Sequence, residues 1–350
     1  MKRFLFFFFI FYIVSIVFWA CSSRQPNFYS FPKIDAHMHI RYNGPEFIEQ
    51  AIQDNFRPLV IILDHYDIEI QKRYVERQKQ LHPDKFAYIT AFTIQGWDEP
   101  NWIEKTIAGL KKDFENGAIG VKVWKNIGME FRSKNGNFIK IDHPKFDPII
   151  DFIASQNKTL TGHIGEPRDC WLPIEKMVSP SNRRYYQSHP EYHMYLHPDY
   201  PSYEELIQSY DNMLQKHPNI RYVGCHLGSI EWNVEELGKM LDKHPNMAVD
   251  LAARIDDIQL LDQKKVREFF IKYQDRILYG TDLGISEDAD PQAFIQRMHE
   301  IWKNDWRYFA TDSLATIRGS DLQIKGLHLP EKVLRKIYFE NAKKWYPGIL

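Results

Sequence analysis

Side chains that bind metals or carry protons recur at one kind of position in this sequence. In Asp35-Ala36-His37-Met38-His39 two imidazoles are spaced by two residues. On an extended strand both point to one face, about 7 Å apart, and can converge on one ion. Asp35 is expected on that same face, orienting a histidine or a neighbouring strand. Three other apolar runs end the same way: Thr159-Leu160-Thr161-Gly162-His163, Arg221-Tyr222-Val223-Gly224-Cys225-His226 and Leu278-Tyr279-Gly280-Thr281-Asp282. A lone His-x-His is weak, because paired histidines arise by chance. Imidazoles and a carboxylate closing four separate runs describe a metal site with its own acid–base group. Lys122 lies among valines in Val121-Lys122-Val123-Trp124-Lys125 and is expected to face the same region, paired with a carboxylate or a substrate anion.

The elements that must position these groups alternate. Short β-branched runs fall at 33–40, 58–63, 86–93, 118–124, 159–164, 220–226, 247–251 and 276–282. Several are apolar throughout, as in Leu59-Val60-Ile61-Ile62-Leu63, the pattern of parallel strands buried on both faces. Helical periodicity occupies 45–54, 68–80, 101–116, 144–156, 203–216, 234–243, 263–273 and 291–303, and 330–346 reads as a closing helix. Eightfold strand–helix alternation predicts an α/β fold, a (β/α)8 TIM barrel, with long insertions after strands 4 and 5. A doubly wound open sheet is the alternative, disfavoured because no Gly-rich turn follows the first strand. Catalytic residues of such barrels collect at the C-terminal strand ends, where all the runs above terminate.

The two insertions follow strands directly. Residues 125–143 contain a hairpin signal around Lys134-Asn135-Gly136-Asn137. Residues 165–201 show no clear period and are rich in Trp, Tyr, His, Arg and Pro, which predicts a lid or binding loop over the site. Substrate contacts are expected from Trp124, Glu166, Arg168, Trp171 and Arg254, with arginine clamping a carboxylate and rings forming apolar walls.

The motifs Asp35-x-His37-x-His39, His163-Ile164-Gly165-Glu166-Pro167, His226-Leu227-Gly228 and Gly280-Thr281-Asp282 resemble the amidohydrolase superfamily, closest to its amidohydrolase-related branch of TIM-barrel hydrolases and decarboxylases. The likeness runs from about Ile34 to Asn341-Ala342. It implies a divalent metal held by His37, His39, His163 and Asp282, with His226 close to the substrate. Three histidines and a carboxylate suit Zn²⁺, and Mn²⁺ also fits the set. Such a metal would lower the pKa of a bound water and polarise a scissile carbonyl. Asp282 would take the water's proton, and His226 would serve as an electrophile or second acid–base group. In binuclear relatives a lysine placed like Lys122 is carboxylated and bridges two metals; one ion is the favoured reading, because the branch is mostly mononuclear.

Function follows in outline: metal-dependent hydrolysis of an amide, ester or lactone in a small molecule. Non-oxidative decarboxylation of a small carboxylic acid is the alternative that the motifs do not separate. A non-catalytic, ligand-binding surface lipoprotein is the alternative from another class, opposed by the joint presence of Asp282 and His226. Net charge of −1 over 350 residues, with Lys and Arg spread along the chain, offers no nucleic-acid footprint. Hydrophobic residues at 44% and charged residues at 26% supply a large core and a solvated surface.

The first residues are of another kind. Met1-Lys2-Arg3 precedes an apolar stretch to Ala20, then Cys21-Ser22-Ser23 and a polar run. This reads as a lipoprotein signal peptide, residues 1–20, with Cys21 lipidated and 21–32 a linker to a single domain at 33–350. An uncleaved membrane anchor is the plainer alternative. The expectation is an exported, membrane-anchored lipoprotein, with the outer membrane preferred because Ser22-Ser23 carries no inner-membrane retention signal. Cys170 and Cys225 are too few for a disulfide framework, and Cys225 within an apolar strand reads as a buried free thiol.

Overall fold

The computed structural model of the chain describes residues 26–350. The signal peptide and lipidation expected at residues 1–21 lie outside the described residues. Among the described residues no helix is long and apolar enough to cross a membrane. Part of the expected linker is packed: Phe28 and Phe31 are buried, with ring centroids 6.1 and 5.0 Å from Trp306.

Strands β1 (Lys33–Arg41), β2 (Phe56–Ile61), β3 (Ala87–Ala91), β4 (Gly120–Val123), β5 (Thr159–Gly162), β6 (Arg221–Gly224), β7 (Met247–Asp250), β8 (Ile277–Leu278) and β9 (Leu283–Ser286) form one sheet. Its order is β8-β7-β6-β5-β4-β3-β2-β1-β9 and its neighbours pair in parallel. Sequential order of this kind is what a helix after each strand produces, since each crossover returns to the next position around a barrel. β8 and β9 are two halves of one interrupted strand. The Ala36 amide donates to the Tyr279 carbonyl at 2.9 Å, and the Asp282 amide to the His37 carbonyl at 2.8 Å, so this strand links β7 to β1 and closes the ring. The strand expected at 276–282 is thus broken at its last residues, where Asp282 takes φ +63° and leaves the extended region.

β1 also departs from simple alternation. Its register against β2 shifts between Asp35 and Met38. A bulge of this kind turns consecutive residues to one side. Ile34 and Ala36 pack with Leu59, Ile89, Val223 and Leu278, while Met38 and Ile40 belong to the larger cluster formed with the surrounding helices. His37 and His39 face the barrel interior above Ala36, whereas Asp35 points outward, accepting from the Trp302 indole at 2.9 Å and the Thr281 hydroxyl at 2.7 Å. The expectation that Asp35 shares the histidine face is therefore corrected. Asp35 ties β1 to the broken strand and to the helix at Pro291–Ala310.

The C-terminal helical segment plugs the opposite end. Trp345, Tyr346 and Ile349 fill the interior beside Ile34, Ile61 and Ala248, and the Tyr346 hydroxyl meets the Thr161 hydroxyl at 2.8 Å. With that end sealed by the C-terminal segment, the histidines and Asp282 that line the interior cavity lie toward the C-terminal strand ends, as the architecture requires.

The insertions are more ordered than their sequences suggest. Arg132 and Phe138 form an antiparallel bridge, which gives the hairpin expected near Gly136. Residues 165–201 fold as 3₁₀ turns around a helix at Pro180–Ser188. They enclose a small core of their own from Cys170, Met177, Tyr186 and Met194, set against Met129 and Leu206.

Candidate metal centre

At the C-terminal strand ends a cavity of about 300 Å³ is lined by His37, His39, Lys122, Trp124, His163, His226 and Asp282, together with Arg41, Tyr66, Gln71 and Lys125. Three of the imidazoles are fixed through Nδ1. His37 Nδ1 lies 2.8 Å from Asp250 Oδ2, His39 Nδ1 2.8 Å from the Ile61 carbonyl, and His226 Nδ1 2.8 Å from the Ala252 carbonyl. A carbonyl only accepts, and so does an ionised carboxylate, so Nδ1 holds the proton in each case and Nε2 presents its lone pair.

Those lone pairs converge. Asp282 Oδ1 is 3.0 Å from His39 Nε2 and 3.3 Å from His37 Nε2. His226 joins His37 and Asp282 in a triple whose ligand atoms lie within 4.8 Å of one another. The His163 and His226 rings stand 4.2 Å apart, and His163 Nε2 is buried without a hydrogen-bond partner. Acceptors facing acceptors are repulsive unless a proton or cation stands among them. Tetrahedral coordination with bonds of 2.0–2.1 Å spaces its ligands by about 3.3 Å. The side chains present therefore fit a divalent ion.

The electrostatics point the same way. Burial pushes His163 well below the ordinary imidazole range and His226 down to about 3, and it lowers His37 with help from the Lys122 charge. Burial alone would raise Asp282 and Asp250, but attraction to a proton shared with the neighbouring histidines outweighs it and holds both below the usual carboxylate range, an attraction that a cation among them would replace. Neutral imidazoles beside ionised carboxylates make a net negative donor set. With Nδ1 committed to a carbonyl, neutral His226 can accept a proton or ligate at Nε2, but it has no proton there to donate.

The backbone that presents these groups is strained. His226, Leu227, Gly228 and Ser229 all have φ near +60°, a left-handed turn in which three residues are not glycine. Left-handed helical backbone costs roughly 1–2 kcal/mol per such residue. Fixed partners hold it: the His226 amide donates to Asp250 Oδ1 at 2.8 Å, and the Tyr203 hydroxyl donates to the Ser229 carbonyl at 2.6 Å. Strain of this kind collects where a side chain must be aimed.

Lys122 does not find the carboxylate that its sequence context suggests. Its buried Nζ lies 2.7 Å from the buried Cys225 Sγ. Cys170 and Cys225 are both free thiols.

Among the expected substrate contacts, only Trp124 lines the cavity. Glu166 is paired with Lys125, which does line it. Arg168 is turned to the outer surface over Trp232, at 4.1 Å. Trp171 packs on Tyr203 and donates to the Pro201 carbonyl at 3.1 Å. Arg254 bonds the Ala253 carbonyl at 2.8 Å and lies 3.8 Å from Asp257. The insertion's own packing draws Glu166, Arg168 and Trp171 away, a direction that residue type does not encode, whereas Arg254, outside the insertion, lies near enough for its charge to help lower His163 and His226. Asp250, Arg41 and Lys125 were absent from the expected set. An aspartate closing Met247-Ala248-Val249-Asp250 is the one signal that could have disclosed Asp250.

A family model described as Amidohydrolase matches residues 96–348. No curated protein matches the chain. Similar solved structures include a 2,6-dihydroxybenzoate decarboxylase complexed with 2,6-dihydroxybenzoate, at 13% identity and TM-score 0.47, covering 90% of this chain and 99% of that one. A 4-oxalomesaconate hydratase from Rhodopseudomonas palustris has 12% identity and TM-score 0.47, covering 90% and 96%. A manganese-bound 5-carboxyvanillate decarboxylase variant from Novosphingobium aromaticivorans has 11% identity and TM-score 0.46, covering 91% and 97%.

Proposed function

The chain belongs to the amidohydrolase family, and from that premise we propose that it is a metal-dependent hydrolase of an amide, ester or lactone bond in a small molecule. One observation carries the reading: Asp282 Oδ1 within 3.0 and 3.3 Å of two Nε2 lone pairs, in a cavity open to a substrate. His37, His39 and Asp282 would hold the ion, with His163 and His226 beside it, and zinc suits these donors best. When bound, a divalent ion supplies Lewis acidity toward water and toward a carbonyl oxygen.

The chain's own groups do the rest. Asp250 keeps His37 in one tautomer and one orientation. Asp282 is ionised, and its carboxylate can take a proton from water at Oδ. The same carboxyl can return that proton to the leaving nitrogen or oxygen, while neutral His226 would hold the ion with His37 through Nε2. Trp124 forms an apolar wall.

A panel of lactones, esters, amides and aromatic acids tests this, using wild type and Asp282→Asn. The expected result is hydrolysis in the wild type that falls by about 100-fold or more in the variant. Carbon dioxide release from the acids, with no hydrolysis, would replace the reading with a decarboxylase. Binding without turnover would replace it with a ligand-binding protein.

A further inference from the structure

Two nucleophilic side chains meet inside the barrel beside the metal centre. Lys122 on β4 reaches past β5 to Cys225, the residue that follows β6, and its Nζ lies 2.7 Å from Sγ. Both residues are buried, at 1% and 0% exposure. Burying an ammonium group is costly unless a carboxylate or several good acceptors receive it. Among the described residues, the Lys122 amine pairs with no carboxylate, and Cys225 Sγ is its one hydrogen-bond partner. A thiol is a weak acceptor, and a buried cysteine ordinarily packs among apolar groups. Neither residue is in its usual surroundings.

The spacing suits a covalent link through one atom. Two single bonds of about 1.5 Å meeting near 110° span about 2.5 Å, and the longer bonds of sulfur widen that toward the observed gap. Access comes from the lysine side: Lys122 lines the cavity of about 300 Å³, which admits a small diffusing oxidant to the pair. Burial raises the Cys225 thiol, while the Lys122 charge pulls it back toward thiolate. Cys170 does not compete for it. That thiol sits in the insertion's small core and donates to the Tyr192 carbonyl at 3.1 Å.

We propose that Lys122 and Cys225 are a redox modification site, in which one oxygen atom joins Nζ to Sγ as an N–O–S bridge. Dioxygen is the oxidant. The S–H bond and one N–H bond break, and S–O and N–O bonds form. One oxygen atom stays as the bridge, and the other leaves as water with the two hydrogens. The pair loses four electrons and dioxygen gains them. Two equivalents of a dithiol return the four electrons, restoring amine and thiol and releasing the bridge as water. A nitrogen bonded to oxygen is a far weaker base than lysine, so the bridge removes a cation from the cavity wall. It also ties β4 to the residue before His226.

Mass spectrometry of the zinc-loaded full chain tests this. One sample is kept under dithiothreitol without air, and another is held in oxygen-saturated buffer. The oxygenated sample is expected to gain about 14 Da, one oxygen in and two hydrogens out. Peptide mapping should join the Lys122 segment to the Cys225 segment, and dithiothreitol should separate them. Thermal melting should move upward with the bridge and return on reduction, as for any cross-link that restrains the unfolded chain. Cys225→Ser and Lys122→Met should each abolish the joined peptide. The wild-type mass decides even where a variant does not fold. An oxygenated wild type of unchanged mass overturns the proposal. So does a gain of about 16 or 32 Da on Cys225 with Lys122 unmodified, which is ordinary thiol oxidation. A loss of about 2 Da in a joined peptide would assign a direct S–N bond and overturn the oxygen bridge.

Discussion

Asp250 Oδ2 lies 2.8 Å from Nδ1 of His37, with both side chains buried, while its other oxygen accepts the amides of His226 and Ala252 at 2.8 and 3.1 Å. One carboxylate thus fixes the ring of the first expected ligand and the backbone of the strained turn that carries His226. The centre is organised from the strand behind it, by a residue that touches no substrate.

Asp250→Asn leaves one acceptor oxygen for tasks that now occupy two. Metal affinity is expected to fall by about 10- to 100-fold, the usual cost of losing an outer partner of a ligating histidine. Competition with a chromophoric chelator measures it. Unchanged affinity would show that His37 needs no such partner.

Gly280 lies against β1. A Cβ there would sit 3.0 Å from the His37 Cβ and 3.4 Å from the His37 amide nitrogen, neither of which can swing aside. Gly280→Ala should destabilise the fold by about 1–3 kcal/mol through overpacking. Gly109, with nothing within 4 Å inside the helix Trp102–Glu115, is the control. There alanine should stabilise by about 0.4–1 kcal/mol. Urea unfolding of both variants checks the opposite signs.

Asp305 supplies a pH dependence away from the metal. Burial raises it from 3.8 to about 6, against the lowering effects of Arg318 and the Tyr279 hydroxyl. The folded state then binds the proton more tightly than the unfolded chain. Stability from this group is fully present below about pH 4 and is lost as pH rises through 6. A shift of this size corresponds to about 3 kcal/mol. The stability of wild type relative to Asp305→Asn should decline by that order between pH 4 and 7 in urea titrations. A flat difference would contradict the assignment.

Much of the barrel was legible because strands buried on both faces must be apolar, as Leu59 to Leu63 are, and because each is followed by a helix with a clear period. The strand ends marked by His37, His39, His163, His226 and Asp282 were legible for the same reason, since polar groups closing apolar runs stand out. What alternation alone could not reveal is the bulge between Asp35 and Met38, which sends Asp35 outward. Nor could it locate the break before Asp282, which depends on closing the ring. The insertion at 165–201 carries short 3₁₀ turns with no periodic signature, so the outward turn of Arg168 and the packing of Trp171 could not be read from composition. Arg41 looked like an ordinary charged strand end until its stacking on Tyr66 was visible.

The central claim is that His37, His39 and Asp282 hold a divalent ion. Elemental analysis of the purified protein after metal loading and dialysis tests it most directly, beside a His37→Ala, His39→Ala double variant shown to be folded by circular dichroism. The account predicts about one equivalent of zinc or manganese per wild-type chain and none in the variant. A wild-type protein that retains no stoichiometric divalent metal, or a double variant that retains it undiminished, would contradict the claim.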